Sequence, residues 1–357
     1  MANDVTNRHL PFGLTWIRII QIVIAIALLV VMVQLPQWIQ NPTQVDLLTR
    51  ALYFGIAAMG LNLLTGFNGQ VSIGHGAFFA IGAYTSAILV TDHGWNYYAT
   101  LPAAAALCFA VGAAVGFPAL RVKGFYLALL TLGLAVLLPD LASRFVNGAG
   151  GQPQVLVSTA ALTRPSLADF LSDYATAPDQ WHYYVTLVIS GLMLLAAWGL
   201  VRAGFGRSLI AVRDHEAAAS TVGINPARVK VSAFAISALY AGVAGALSVQ
   251  VLGFANADKV EIFRLSIEFL VMVVIGGTAT VLGPILGGFA FVYIDDKTVD
   301  LISGKAVLSP AIFGAILIIF MYVMPDGLVG GARRLAATTA RVLAQRRPSE
   351  PLPTTTT

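Results

Sequence analysis

The run at residues 98–120 carries no charged side chain, and comparable apolar runs recur along the chain from about residue 16 to 324. Roughly 18 or more consecutive apolar residues suffice for a helix to cross the hydrocarbon of a bilayer. Only helices and closed barrels satisfy their backbone groups there, and a barrel would show alternating segments of about ten residues. The chain therefore reads as an all-α polytopic membrane protein. Composition agrees: 57% of residues are hydrophobic and 11% charged, where soluble domains carry about a quarter charged residues. A water-soluble fold of 357 residues would lack the charge to cover its surface. The single cysteine, Cys108, lies in an apolar run and reads as small core packing.

About ten spans are predicted, at 16–38, 46–66, 71–91, 98–120, 125–145, 181–202, 231–253, 265–277, 281–301 and 308–324. Arg8 and Arg18, then Arg121 and Lys123, then Arg202, Arg207, Arg213, Arg228 and Lys230, then Arg333, Arg334, Arg341, Arg346 and Arg347 all fall on one side. The positive-inside rule makes that side cytoplasmic, with both termini inside. The opposite loops are acidic or neutral, through Asp92, then Asp169, Asp173 and Asp179, then Asp295, Asp296 and Asp300. The net charge of +4 is thus a topology signal, and nucleic-acid binding is set aside. The first apolar run is long enough to span and lacks a small-residue cleavage site, so no cleaved leader is expected.

This divides the chain into a cytoplasmic tail (1–15), a transmembrane domain (16–325) and a basic, partly disordered cytoplasmic tail (326–357). Residues 333–347 read as a basic surface helix against anionic headgroups. The loop at 146–180 contains Gly148, Gly150, Gly151, Pro153, Pro165 and Pro178 and is too irregular to cross lipid. On the outer face it is either a docking surface or a solvated linker.

Two stretches break the apolar pattern. The first is Gly66, Asn68, Gly69, Gln70, Ser72, Gly74, His75 and Gly76, just after Asn62; the second is Gly276, Gly277, Gly283 and Pro284. Glycine, proline and amides are poor helix formers, and a break in a span is tolerated where it lines a cavity. Paired Gly/Pro-broken segments in two halves of a chain point to a solute pathway, so these residues are its candidate lining. Close helix packing through small residues is the alternative for any single glycine, and hydrogen-bonded packing the alternative for His75. Buried charge is sparse: Asp140 with Arg144 and Arg264 with Glu268 stand four apart and can pair on one helix face. No acid of the kind that drives proton coupling stands out at mid-membrane.

The longest stretch of mixed charge on the cytoplasmic side is residues 204–230. Within it Asp214, Glu216, Ala217, Ala218 and Ala219 predict a short helix, with Asp214 able to cap its start. Gly223 ends it, and Ile224, Asn225 and Pro226 turn the chain toward the next span. The alanines give this helix a slim face that fits a groove, with Arg213 and Glu216 available to fix register by charge. An ordinary surface helix is the alternative.

Glu216-Ala217-Ala218 followed by Gly223-Ile224-Asn225 resembles the EAA-type loop of bacterial ABC importer permeases. The string AVRDHEAAASTVGINPARVKVSAFAISALYAGVAGAL at 211–247 is similar to permeases of branched-chain amino acid uptake systems, the LivM type. So are GLNLLTGFNGQVSIGHGAFFAIGAYTSAIL at 60–89, PALRVKGFYLALLTL at 118–132 and EFLVMVVIGG at 268–277. The resemblance implies a bacterial inner-membrane subunit that pairs with a homologous permease, two cytoplasmic ATPase subunits and an extracytoplasmic solute-binding protein. The ATPases would grip the loop around Glu216 through Arg213, Asp214, Ala217, Ala218, Gly223, Ile224 and Asn225. The chain has no G-x-x-x-x-G-K-S/T phosphate loop, so ATP and Mg would be used by the partners and no cofactor, metal or catalytic residue is assigned here. After Thr131-Leu132-Gly133 an acidic residue is delayed to Asp140, and residues 147–152 match the usual Thr-Gly-Gly string loosely. Both departures bear on the solute, which in related systems is a branched-chain or other amino acid, an amide, urea or an aromatic acid.

Two other classes remain. An ion-coupled secondary transporter would need a mid-membrane acid or ion site. An intramembrane enzyme would need paired catalytic groups; Ser72 and His75 are nearest, without an orienting acid in the same stretch.

Overall fold

The computed structural model describes residues 30–39, 41–120, 125–145, 154–158, 162, 178–256, 259–301 and isolated positions between 314 and 334. Most of the predicted spans at 308–324 and 16–38, most of the 146–180 loop, the N-terminal tail and most of the C-terminal tail lie outside the described residues.

Helix α1 (30–38) leads to α2 (Pro42–Asn62), which starts where the Asn41 side chain accepts the Thr43 N–H and Pro42 occupies the first turn. A π-helical turn, Leu63–Phe67, ends it. Then follow α3 (His75–Thr91), α4 (Tyr97–Ala119), α5 (Phe125–Phe145), strand β1 (Gln154–Leu156), α6 (Pro178–Arg202), α7 (Gly204–Asp214), α8 (Glu216–Thr221), α9 (Pro226–Leu252), β2 (Phe254–Asn256), α10 (Lys259–Gly276) and α11 (Gly283–Leu301). Among the described residues, Pro42–Phe67, Tyr97–Pro118, Pro178–Arg202 and Pro226–Leu252 are long and apolar enough to cross a membrane. At 17 residues α3 is shorter, about 25 Å, and a non-helical stretch precedes it.

The centre of the bundle is α9, which packs against α2, α3 and α4. It is dominated by small residues on the faces where neighbours come close. A Cβ on Gly245 would collide with the Phe79 carbonyl of α3, and one on Gly82 would collide with Gly242. Such contacts replace the hydrophobic drive that lipid cannot supply between helices. By contrast α4 and α6 turn Leu107, Phe109, Phe117, Val188, Leu192 and Leu195 outward, the surface hydrocarbon tolerates.

The all-α expectation needs one amendment. β1, from the long loop, pairs antiparallel with β2 at the end of α9, matching Val155 with Ala255. A segment without helix must place its backbone groups somewhere, and here the loop finds them a partner strand. A second correction concerns Asp295, Asp296 and Asp300, grouped above with the acidic loops; all three lie inside α11.

Candidate functional site

The two glycine breaks are far apart in sequence and adjacent in space, joined by Asn62. Its Nδ2 donates to the Thr280 carbonyl at 2.7 Å, and its Oδ1 accepts the Ala279 N–H at 2.9 Å. The second break needs such help because Ala279 has a φ of 55°, a left-handed conformation unusual for a residue with a Cβ. Thr280 Oγ1 donates to the Gly277 carbonyl at 2.7 Å and tightens the same turn. Asn62 therefore does for the chain between α10 and α11 what a cap does for a helix end.

The first break is a packed corner between α2 and α3. Gln70 N–H reaches back to the Leu64 carbonyl, and Thr65 Oγ1 donates to the Gln70 carbonyl at 3.0 Å. Ile73 N–H donates to Thr131 Oγ1 on α5 at 3.1 Å, and Gly76 N–H to Ser266 Oγ on α10 at 2.9 Å. Gly74 lies so close to the Thr131 carbonyl that a Cβ would collide with it. Within this corner Asn68, Gln70 and Ser72 are buried, yet both amide atoms of Asn68, Gln70 Oε1 and Ser72 Oγ have no hydrogen-bond partner among the described residues. Each such group costs about 1–3 kcal/mol when left unmade. His75 differs: its Nε2–H donates to the Ala57 carbonyl at 2.9 Å, and its ring meets Phe269 edge-on. It is wholly enclosed, and Ser72 is not bonded to it.

The 204–230 segment is more ordered than its charge implies. Its first half is the amphipathic helix α7, anchored by buried Leu209 and Val212. The spacing of Phe205, Leu209 and Val212 was the available signal. Extended His215 separates α7 from the short helix α8. Asp214 is thus not the cap of α8: it ends α7 and accepts Arg213 Nε at 2.9 Å, while His215 stands at the cap position without a capping bond. Gly223, at φ 85°, and Ile224 N–H bonding back to the Ala219 carbonyl end α8 in the glycine-terminated manner. Asn225 then caps α9 through the Arg228 N–H. Ala217 and Ala218 are on the exposed side of α8.

Arg213 and Glu216 each have a partner within the chain. Glu216 pairs with Lys230 of α9 at 2.7 Å. Arg213 Nη1 donates to the Gly66 carbonyl at 2.9 Å, and its stem packs so closely on Gly69 that a Cβ there would lie 2.8 Å from Arg213 Cγ. A continuous line of contacts therefore runs from α7 through Arg213 to the first break, and through Asn62 to the second. Gly276 and Gly283 approach each other across that second break, with Gly277 between them at φ 108°, and Pro284 opens α11.

The Arg264–Glu268 pair forms as the spacing predicts, at 2.7 Å. The side chains of Asp140 and Arg144 lie outside the described residues. Arg50 of α2, which pairs with Asp295 at 3.5 Å, escaped the sequence reading although a lone basic residue inside a predicted span is itself a signal.

Residues 43–321 match the family described as branched-chain amino acid transport system / permease component. The high-affinity branched-chain amino acid transport system permease protein LivM of Salmonella typhimurium strain LT2 is 30% identical over 322 residues, 85% of this chain and 73% of that relative. LivM of Escherichia coli K12 is 30% identical over 85% of this chain and 74% of its own length. LivH, a permease protein of the same E. coli transport system, is 23% identical over 78% of this chain and 91% of its own length. No solved structure matches the chain.

Proposed function

The chain belongs to the branched-chain amino acid transport system permease family, and on that premise we propose that it is one permease subunit of an ATP-driven importer for branched-chain or related amino acids. It sits in the bacterial inner membrane with both termini cytoplasmic and shares the solute pathway with a second, homologous permease. An extracytoplasmic binding protein delivers the solute, and two cytoplasmic ATPase subunits supply the work. The similarity to both LivM and LivH supports a paired arrangement of related permeases.

The observation that carries the mechanism is the Arg213 bridge. Partner ATPases grip α8, whose exposed alanines and stiff ends suit a groove. Their closure moves α9 with α8, because Glu216 is tied to Lys230, and moves the first break with α7, because Arg213 is tied to the Gly66 carbonyl. The first break flexes, Asn62 carries the displacement to Ala279 and Thr280, and α10 and α11 follow. The Asn68 amide and Gln70 Oε1, unpartnered among the described residues, give the corner a second arrangement to move into, since any new partner repays their desolvation.

The test is ATP-dependent uptake of L-leucine by the complete complex in proteoliposomes. Glu216→Lys, or a β-branched residue at Gly223, is expected to abolish uptake and uncouple ATP hydrolysis while the complex still inserts. Undiminished uptake in both variants sinks the coupling role. Accumulation under an ion gradient without any ATPase would instead establish the secondary transporter.

A further inference from the structure

Helix α6 ends in a corner that the described residues leave uncovered. Val188, Leu192, Leu195, Trp198 and Arg202 recur every three or four positions and form one exposed stripe along the helix. At 1.5 Å per residue the stripe is about 21 Å long, enough to follow one leaflet, whose hydrocarbon is about 15 Å deep, up to the headgroups. Its length is aliphatic and its end is a cation. Trp198, 46% exposed, stands one turn before that end, as tryptophan does at a membrane interface.

Two guanidinium groups meet at this corner. Arg202 folds back along α6, its Cζ over the Trp198 ring at 4.0 Å from the centroid, beside the preceding turn. Arg207, in the first turn of α7, also folds back, its Nη1 facing the Arg202 carbonyl at a long 3.5 Å. Neither arginine has an ion-pair partner among the described residues. The only carboxylate on α7, Asp214, stands at its far end and holds Arg213, while Glu216 beyond it holds Lys230. On α6 the only acid is Asp179, in the first turn at the opposite end. The positive charge of the corner is therefore not met from its own two helices.

We propose that Trp198, Arg202 and Arg207 form a site for the phosphate head of an anionic glycerophospholipid, whose acyl chains lie along Val188, Leu192 and Leu195. The Arg fork is the matching shape for phosphate oxygens. A contact through the Trp198 ring face holds the Arg202 guanidinium in place and consumes none of its N–H donors. A zwitterionic headgroup brings a cation of its own to the same place and meets the arginines less well, because only net negative charge draws surface cations. An acidic protein surface would match the charge but not the aliphatic stripe beside it. The occupied site steadies the base of α7, the helix that carries Arg213 to the first break. It depends on the chain's place in a bilayer and not on the solute carried.

Dioleoyl phosphatidylglycerol is titrated into the complete complex in nonionic detergent while thermal unfolding is followed, since a lipid that binds the folded state raises the melting temperature. Wild type is expected to be stabilised by this lipid and not by dioleoyl phosphatidylcholine. With Arg202→Gln and Arg207→Gln together, the lipid concentration for half-maximal stabilisation should rise about tenfold or more, the effect of losing two surface cations. Arg228→Gln, which removes an exposed charge elsewhere in the same basic segment, should move it by less than about twofold. An unmoved midpoint in the double variant, or equal stabilisation by phosphatidylcholine, overturns the site. An equal rise in Arg228→Gln reduces the effect to bulk charge and overturns it too. Equal stabilisation by soluble glycerol 3-phosphate makes the ligand a free phosphate and overturns the lipid. If the double variant fails to assemble, Arg202→Lys with Arg207→Lys keeps the charge and loses the fork. A rise of about threefold is expected there, and none overturns the proposal.

Discussion

Helix α2 is held in two chemically different ways along its length. At Asn62 it grips backbone: two short hydrogen bonds to Ala279 and Thr280, with the Gly66 carbonyl next to them held by Arg213. At Arg50 it meets other side chains across a loose 3.5 Å pair. Backbone hydrogen bonds at this part-buried turn fix position, because a displaced amide or carbonyl loses its partner in the protein. A loose ion pair between partly exposed side chains contributes little to stability and can change partners. One end of the helix is fastened to backbone and the other to a side chain across a longer gap.

The largest expected effect breaks the backbone fastening. Asn62→Leu takes away the side chain that meets the Ala279 N–H and Thr280 carbonyl in a part-buried turn, a loss of about 2–6 kcal/mol at 1–3 kcal/mol per group. Thermal unfolding of the purified complex measures it, and leucine uptake should vanish with it. If Asp295→Asn destabilises the complex as much as Asn62→Leu, the contrast between the two ends is wrong.

Next comes a matched pair of glycines. Gly69 and Gly94 both have positive φ, 72° and 65°, so alanine costs about 1–2 kcal/mol of backbone strain at either. Only at Gly69 would the new Cβ meet Arg213; Gly94 faces open space. Gly69→Ala should therefore impair ATP-coupled uptake well beyond its strain, and Gly94→Ala should not. Equal uptake in the two variants would remove Arg213 from the coupling route.

Arg213→Ala deletes the bridge to Gly66 without touching the glycine. A stability loss of about 1 kcal/mol is expected from one charge-assisted bond at a partly exposed site. Uptake per ATP hydrolysed should fall further than stability does. The smallest effect is Lys230→Ala, which removes the Lys230–Glu216 pair and should shift stability by less than about 1 kcal/mol. A larger drop would mean that α8 is held to α9 chiefly by this pair.

Much of the helical layout was legible in the sequence. The expected spans 125–145 and 181–202 recur closely as Phe125–Phe145 and Pro178–Arg202, since run length and charge-free composition are local properties. The break after Asn62 was legible for the same reason, through its glycines and amides. Asp214 misled because an acid before an alanine run is a generic capping signal, whereas α7 extends to Asp214 and claims it as its last residue. Arg50 was overlooked because one basic residue does not disturb an apolar run, and its acidic partners stand on other helices.

By itself the sequence determined the membrane class, the family, the positions of several long helices and the two places where the apolar pattern breaks. Those follow from periodicity, apolar run length and residues that disfavour helix, all read within a few turns of chain. Only the tertiary structure decided that Asn62 serves the second break, 217 positions from Ala279, and that Arg213 rests on the first. A hydrogen bond between an amide side chain and a distant backbone leaves no periodic trace. Its partner is chosen by how α2, α10 and α11 pack together.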